Sequence, residues 1–485
     1  MPAGGKTSRS NFRGNQVLRF ETTLERRLPI ILAVIFAGWG AYMIGMKFRL
    51  LHYGLATDDL FNYVNALYNT NFQDKWLFSA RYELLRGLPS LLFNHWQPTL
   101  LVLWPVVHLA GAEGLLVVQA LAPLWAAVFL LKIAERFGLS AFERLFVAVV
   151  CLFHPNLMAA VMDSMYGFHG TCLLLYFGAP MAWAAATGRW PLAFVLLIFF
   201  LNIRENAALY VVGAAAGWLL FTNPYFATRR GLAAAVTIAA ITFIGGLIVA
   251  PWLMGVVHEH ANHAHEVLST PSRIVLALKN MDTDWHNLFL WLWPGLAAPG
   301  ALLTIVPESI ILILAQKKAS HWYGMTLVFA GALAVAQGLP QVRAYADRKG
   351  LGKALTVLLT LHMIAIAVAG PKEVWGQTRK LVTRIGHHVP LESRTQARAA
   401  VDTRCRVAVE LQAMYGFGDL PYLQYPRQAA QSKYIVAMPS MPSGLTKWVN
   451  ATKGELKLIY EDTHLAVFEN PRVPCVLTLD AAAKG

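Results

Sequence analysis

The sequence predicts an α-helical polytopic membrane protein of about 10–12 spans, followed by a small soluble α/β domain at the C-terminus. Three observations carry this prediction. Of 485 residues, 56% are hydrophobic and only 14% are charged, against about 25% charged in soluble proteins. Long uncharged apolar runs recur along most of the chain and stop near residue 370. Beyond that point charge density rises and short apolar segments replace the long ones. The apolar content excludes a disordered chain, and four cysteines are too few for a disulfide scaffold.

Residues 1–27 form a basic tail in which Lys6, Arg9, Arg13, Arg19, Arg26 and Arg27 stand against Glu21 and Glu25. That bias predicts a cytoplasmic tail. The run 28–46 follows and leads directly into further spans, so it reads as a membrane helix and not as a cleavable signal. Runs without Asp, Glu, Lys or Arg then cover 87–112, 114–131, 145–162, 170–187, 190–203, 206–228, 231–257, 285–307, 319–342 and 354–370. A helix crosses a bilayer in about 20 residues, and most of these runs are long enough. The expected membrane domain is therefore 28–370.

Basic residues lie at Lys132 to Arg144, Arg189, Arg229-Arg230 and Arg343 to Lys353. Placing these loops inside puts 50–95, 163–169, 202–206, 256–285, 317–323 and everything after 370 outside. With Lys132 inside, 97–111 and 115–131 cannot both cross, so the run holding Pro98 and Pro105 reads as re-entrant or surface-lying. The net charge of +14 is then mainly an orientation signal, and no nucleic-acid partner is needed to explain it.

Residues 371–485 read as an extracytoplasmic α/β domain. Arg394–Met414 has helical spacing, while Lys433–Met438, Leu456–Tyr460 and His464–Phe468 read as strands. Cys405 and Cys475 fall in this outer segment, where a disulfide is permitted; Cys151 and Cys172 lie in apolar runs and read as core.

Ionisable residues near membrane depth are functional candidates, and here they gather at the outer ends of the spans. Asp58 and Asp59 stand side by side in the first outer loop. One can serve as a base, and Thr57 or Asp58 can cap a helix over 60–70. Arg81 and His95 follow in the same loop, Asp163 and His169 in the next. Arg204-Glu205 interrupts a continuous apolar run, either as a self-neutralising pair or as an arginine for an anionic group. Lys317, Lys318, His321 and Tyr323 form another outer cluster, read either as interfacial snorkelling or as anion binding. His258, His260, His263 and His265 alternate with Glu259 and Glu266 in a segment that is either a polar interfacial element or a site for a divalent metal ion. No phosphate-cradling GxxxxGK[ST], GxSxG or CxxC motif occurs.

The order of these features resembles the GT-C glycosyltransferase superfamily. More closely, it is similar to a bacterial membrane-protein family of unknown function placed there. The family motif FDLGxYxQxLWNT is matched by the stretch Asp58 to Thr70, with Asp59 as the family acid. HFxP is matched by His95-Trp96-Gln97-Pro98, and FxFHP by Met165-Tyr166-Gly167-Phe168-His169. A KED element is matched by Arg204-Glu205-Asn206 and an HY element by His321-Trp322-Tyr323. Departures are Phe61 for Gly, Asn65 for Gln, Gly170 for Pro, and Arg and Asn for the outer residues of KED.

The resemblance implies an enzyme of the bacterial inner membrane. It would take a polyprenyl-phosphate sugar from the surrounding membrane lipid and transfer the sugar, with inversion, to a cell-envelope acceptor hydroxyl. Asp59 is the implied base, assisted by Asp58; Arg204, Lys317, His321, His95 and Arg81 are candidates for the donor phosphate. Asp163, His169, Glu205 and Tyr323 are candidate pocket residues. No organic cofactor is implied. A transporter or flippase for a lipid-linked or polar solute would use the same outer groups, and a non-catalytic membrane subunit is the third alternative.

Overall fold

A computed structural model describes residues 8–475, apart from 56, 74, 80–89, 94–96, 165, 205, most of 222–282, 315–316, 386–387, 421, 425 and 441–442. Its helices are α1 (Ser8–His52), α2 (Asp58–Tyr68), α3 (Trp104–Arg136), α4 (Ala141–Phe153), α5 (Pro155–Met162), α6 (Leu173–Ala186), α7 (Trp190–Leu201), α8 (Ala207–Phe221), α9 (Thr283–Trp291), α10 (Pro299–Leu302), α11 (Val306–Leu314), α12 (Gly324–Arg348), α13 (Gly352–Ile385), α14 (Leu391–Ala399) and α15 (Gly444–Thr452). Among the described residues, four helical stretches are long and apolar enough to cross a membrane: Thr22–His52, Pro98–Arg136, Gly324–Arg348 and Gly352–Thr383. The pair α4 and α5, bent by 43°, makes a fifth. The bend falls at His154, which takes ψ 126° because the following proline excludes the helical conformation. The outward faces of α1 and α13 are apolar and exposed, with Val34 and Ile30 at 68%, as lipid-facing surface requires.

The apolar runs 97–111 and 115–131 form one helical stretch broken at Gly111. There φ is 58° and ψ −145°, a conformation only glycine takes without strain. Its first part is pinned beside α2 by Trp104, whose indole donates to Thr70 O at 3.1 Å. A single candidate span, Pro98–Arg136, kinked at Gly111, therefore occupies this region.

The basic loops meet at one end of the bundle. Arg144 pairs with Glu25, Arg343 pairs with Glu143 at 2.7 Å, and Arg136 Nε donates to Ala186 O at 2.8 Å. Glu143 also closes a capping box with Ser140 at the start of α4. Arg229-Arg230 lies outside the described residues.

At the opposite end sits the C-terminal domain. Helix α13 runs through Pro371 to Ile385, and the α/β fold begins at Leu391. Its sheet has the order β2 (Leu423–Gln424), β1 (Val407–Val409), β3 (Tyr434–Ala437), β5 (Ala466–Glu469), β4 (Lys457–Glu461). β1 runs parallel to β2 and β3; β5 runs antiparallel to β3 and β4. Alternation along the strands sends Ala408, Ile435, Ala437 and Phe468 against α15, while Val407, Val409, Val436 and Val467 join the core continuous with the bundle. Cys405 and Cys475 form a disulfide.

Two local expectations are corrected. Arg394–Met414 is not one helix: α14 ends at Ala399 and β1 follows. A short Val-Ala-Val run carries no period long enough to separate helix from strand, and parallel pairing with β3 decides it. Thr57 stands at the N-cap of α2 with helical dihedrals and makes no capping hydrogen bond.

Asp462 ties the β4–β5 turn together. Its Oδ1 accepts from the N–H groups of His464 and Leu465 at 2.7 and 2.6 Å, and its Oδ2 from the Tyr460 hydroxyl at 2.7 Å. Burial pushes its pKa up, but hydrogen bonds from Leu465, Ser393, Tyr460 and His464 outweigh that and hold it down at about 2, below the usual 3.8. A depressed carboxylate stabilises the fold above its unfolded pKa and loses that contribution as pH falls through the folded one. Asp462→Asn is therefore expected to lower the melting midpoint at neutral pH and to flatten its fall between about pH 4 and 2. Thermal melts across that range check this.

Candidate active site

Segments far apart in sequence meet where the bundle faces the C-terminal domain. The first turn of α2 is fixed to the loop 163–169 by the Leu60 N–H, which donates to Tyr166 O at 2.9 Å. Asp58 is the first residue of α2, and Asp59, half-buried, is the second. One turn after Asp59 on the same helix face, Tyr63 lays its ring edge-on to Phe168 at 5.3 Å and His169 at 6.0 Å. Its hydroxyl donates to Gln97 Oε1 at 3.5 Å.

The other face of α2 holds the C-terminal domain. Asn65 Nδ2 donates to Leu420 O at 2.5 Å. Gly418 comes so close to Phe61 that a Cβ there would lie 2.3 Å from the ring, so this docking needs glycine.

His169 and Arg204 are both 4% exposed, and Arg204 Nη1 lies 3.3 Å from His169 Nε2. Both ring nitrogens face donors: Nε2 faces the guanidinium, while Nδ1 accepts from the Thr171 N–H at 3.4 Å and lies 3.2 Å from Thr171 Oγ1. The imidazole stacks on Trp322 at 4.4 Å with 4° between planes, and its backbone N–H donates to Gln119 Oε1 at 2.8 Å. Arg204 Nη2 reaches the Tyr323 hydroxyl at 3.5 Å, and the guanidinium lies 5.4 Å from the Tyr323 ring. Arg204 is thus held by a histidine and a tyrosine that orient the guanidinium. The turn of 3₁₀ helix at Pro98–Leu103 joins the same assembly, since the Thr99 N–H donates to Asn202 O at 3.1 Å.

Lys47 supports this arrangement from below. It is fully buried at the end of α1, and its Nζ donates to Gly167 O at 2.6 Å and to Met162 O at 3.3 Å. Asp163, left-handed at φ 38°, lies within Coulombic reach of the same ammonium. The loop carrying His169 is therefore clamped by a buried cation. Lys47→Met takes the ammonium away from both carbonyls and from the neighbouring Asp163 carboxylate, a change expected to cost about 3–5 kcal/mol. Thermal melts should show a large drop that adding Asp163→Asn partly reverses.

Asn206, two residues after Arg204, turns to a different partner and donates to the buried Glu308 at 2.6 Å. Beside this pair, α6, α7, α8 and α12 enclose an apolar cavity of about 110 Å³ lined by Leu174, Phe194, Leu197, Tyr210, Thr326 and Phe329. Tyr210 links the cavity to the site, lying within electrostatic reach of both Glu308 and Tyr323.

The turn before α12 contributes aromatic groups to the cluster. Tyr323 and Trp322 touch Arg204 and His169, whereas the Lys317 side chain is exposed, its backbone carbonyl accepting from the Trp285 indole at 3.1 Å. His321 is half-buried beside Trp322 at 5.3 Å. His95, Arg81, Glu205 and the four histidines 258, 260, 263 and 265 lie outside the described residues. Among the described residues, one His/Cys/Asp/Glu group has metal-binding spacing, Asp402 with Cys405 and Cys475, and its thiols are spent on the disulfide.

Lys47, Gln119 and Glu308 are polar residues that pattern reading passed over. Each had a signal, a lone polar side chain inside or at the edge of an apolar run. Lys47 falls immediately after the first apolar run, 28–46.

A bundle of membrane helices carrying a buried Arg–His–Tyr constellation at one end, under a small mixed sheet, defines a polytopic membrane protein with a C-terminal α/β domain. The chain belongs to the DUF2079 family of predicted membrane proteins, which matches residues 53–360. That range includes Asp59, His169, Arg204 and Tyr323 and stops before the sheet. No curated protein matches the chain. Among solved structures, the crystal structure of ArnT from Cupriavidus metallidurans in the apo state is similar at 13% identity and a TM-score of 0.49, over 90% of this chain and 98% of that one.

Proposed function

We propose that this protein is a membrane glycosyltransferase that moves a sugar from a polyprenyl-phosphate carrier to an acceptor hydroxyl at the membrane surface. The observation that carries the reading is the meeting of the α2 face bearing Asp59 and Tyr63 with His169, Arg204 and Tyr323. A carboxylate and an oriented guanidinium on neighbouring elements are what such a transfer needs.

In the reaction, the acceptor oxygen forms a bond to the anomeric carbon as the bond from that carbon to the phosphate oxygen breaks. The acceptor proton passes to the Asp59 carboxylate, and the polyprenyl phosphate leaves with the electron pair of the broken bond. Arg204 stabilises the charge growing on that phosphate, with Tyr323 and His169 holding its direction. Displacement at one face inverts the anomeric centre. The apolar cavity beside Tyr210 suits part of a prenyl chain. Asp58 assists at the helix start, and Lys317 and His321 are placed at the rim, where they attract the anionic donor.

The test is direct. Purified protein in vesicles is incubated with polyprenyl-phosphate sugars radiolabelled in the sugar, and labelled acceptor or released sugar is measured. Transfer supports the reading. Movement of the intact lipid between leaflets with no transfer supports a flippase instead.

A further inference from the structure

A second cationic cluster, on different elements, has no part in this transfer. At its centre is Arg394 of α14, 3% exposed. Its guanidinium lies over the Tyr415 ring at 4.6 Å, and its stem packs against Gly416. Nε and Nη2 are both sealed from solvent and have no hydrogen-bond partner. Those two nitrogens form the side-on edge of the guanidinium, the parallel pair of N–H groups that donates to two oxygens of a phosphate or carboxylate.

Arg398, one turn later, shows the satisfied form: its Nη1 and Nη2 hold Asp419 Oδ1 and Oδ2 at 2.5 and 2.7 Å. No such partner stands at Arg394 among the described residues. The neighbouring acid, Glu113, accepts instead the Tyr415 hydroxyl.

The surroundings are cationic. The His388 ring lies 5.1 Å from the His52 ring, tilted by 44°, and is within Coulombic reach of Arg394 and His464. Burial, then His52, Arg394 and His464, lower the pKa of His388, as expected where cations crowd together. Exposed Lys372, Arg379 and Lys380 continue the charge along α13, and Arg49 lies 5.6 Å over the exposed Trp375. An arginine–tryptophan pair at the end of a span marks the membrane interface.

We propose that Arg394, with His388 and His52, forms a phosphate-binding site at the membrane surface, the Nε/Nη2 edge taking two phosphate oxygens and the histidines closing the outer side. The phosphate comes either from an anionic lipid headgroup or from a free ion, and the test separates the two.

Full-length protein in detergent is titrated with inorganic phosphate by a fluorescence binding assay. In parallel, native mass spectrometry measures retention of phosphatidylglycerol against diacylglycerol, which lacks the phosphate. Arg394→Lys keeps the charge and loses the fork; His388→Gln sits on the surface, where it leaves folding intact. Each is expected to weaken at least one probe by about tenfold. Loss of phosphatidylglycerol retention assigns the site to lipid; loss of inorganic phosphate binding alone assigns it to the free ion. Equal binding of both probes to wild type and variants overturns the proposal, as does failure of wild type to bind either.

Discussion

Replacing Asp59 by Asn is expected to reduce sugar transfer by about 10²–10⁴-fold, the usual contribution of a positioned general base. The amide matches the carboxylate in shape, so helix α2 and its bond to Tyr166 should persist, and the melting midpoint should move little. The loss should fall on kcat, because the proton is accepted only as the acceptor attacks. Asp58→Asn is the internal control. Asp58 opens the helix, where its charge suits the dipole, and its replacement should cost about tenfold at most. A reversal, with Asp58→Asn inactive and Asp59→Asn active, would move the base by one residue. Full activity in both variants would sink the mechanism.

Arg204→Lys is the second large effect, expected at about 10²–10³-fold in kcat/KM. Lysine keeps the positive charge but cannot reach His169 Nε2 and the Tyr323 hydroxyl together, so the charge loses its direction. Tyr323→Phe separates orientation from charge, since it removes one tether and leaves the guanidinium; a milder loss of about tenfold is expected. Both are measured with the radiolabelled donor in vesicles, alongside melts that detect general unfolding. Wild-type kinetics in Arg204→Lys would exclude the phosphate role.

Much of the fold was legible because hydropathy is a local property. A run such as 354–370 is apolar wherever it packs, and it became the lipid-facing helix α13. The grouping of Arg136, Arg144 and Arg343 at one end followed from charge bias alone. The strands at Tyr434–Ala437, Lys457–Glu461 and Ala466–Glu469 were readable from short β-branched runs. β1 was not, because three small apolar residues owe their strand conformation to their neighbours in the sheet.

The site was legible in its parts and hidden in its wiring. The motifs singled out Asp59, His169, Arg204 and Tyr323, but nothing in the order of residues says that Arg204 meets a histidine 35 positions before it and a tyrosine 119 positions after it. On charge alone, Lys317 was a candidate for the phosphate and Tyr323 only for the pocket. The turn before α12 points the tyrosine inward and leaves the lysine in solvent.

Membrane class, the two ends of the bundle and the presence of a C-terminal domain thus came from composition and charge, because transfer between water and lipid is decided residue by residue. The partners of Lys47, Arg204 and Arg394 depended on the packed structure. Whether a buried cation clamps a loop, faces a reaction or waits for an anion is set by which oxygens lie within about 3 Å of it, and helix packing alone sets that distance.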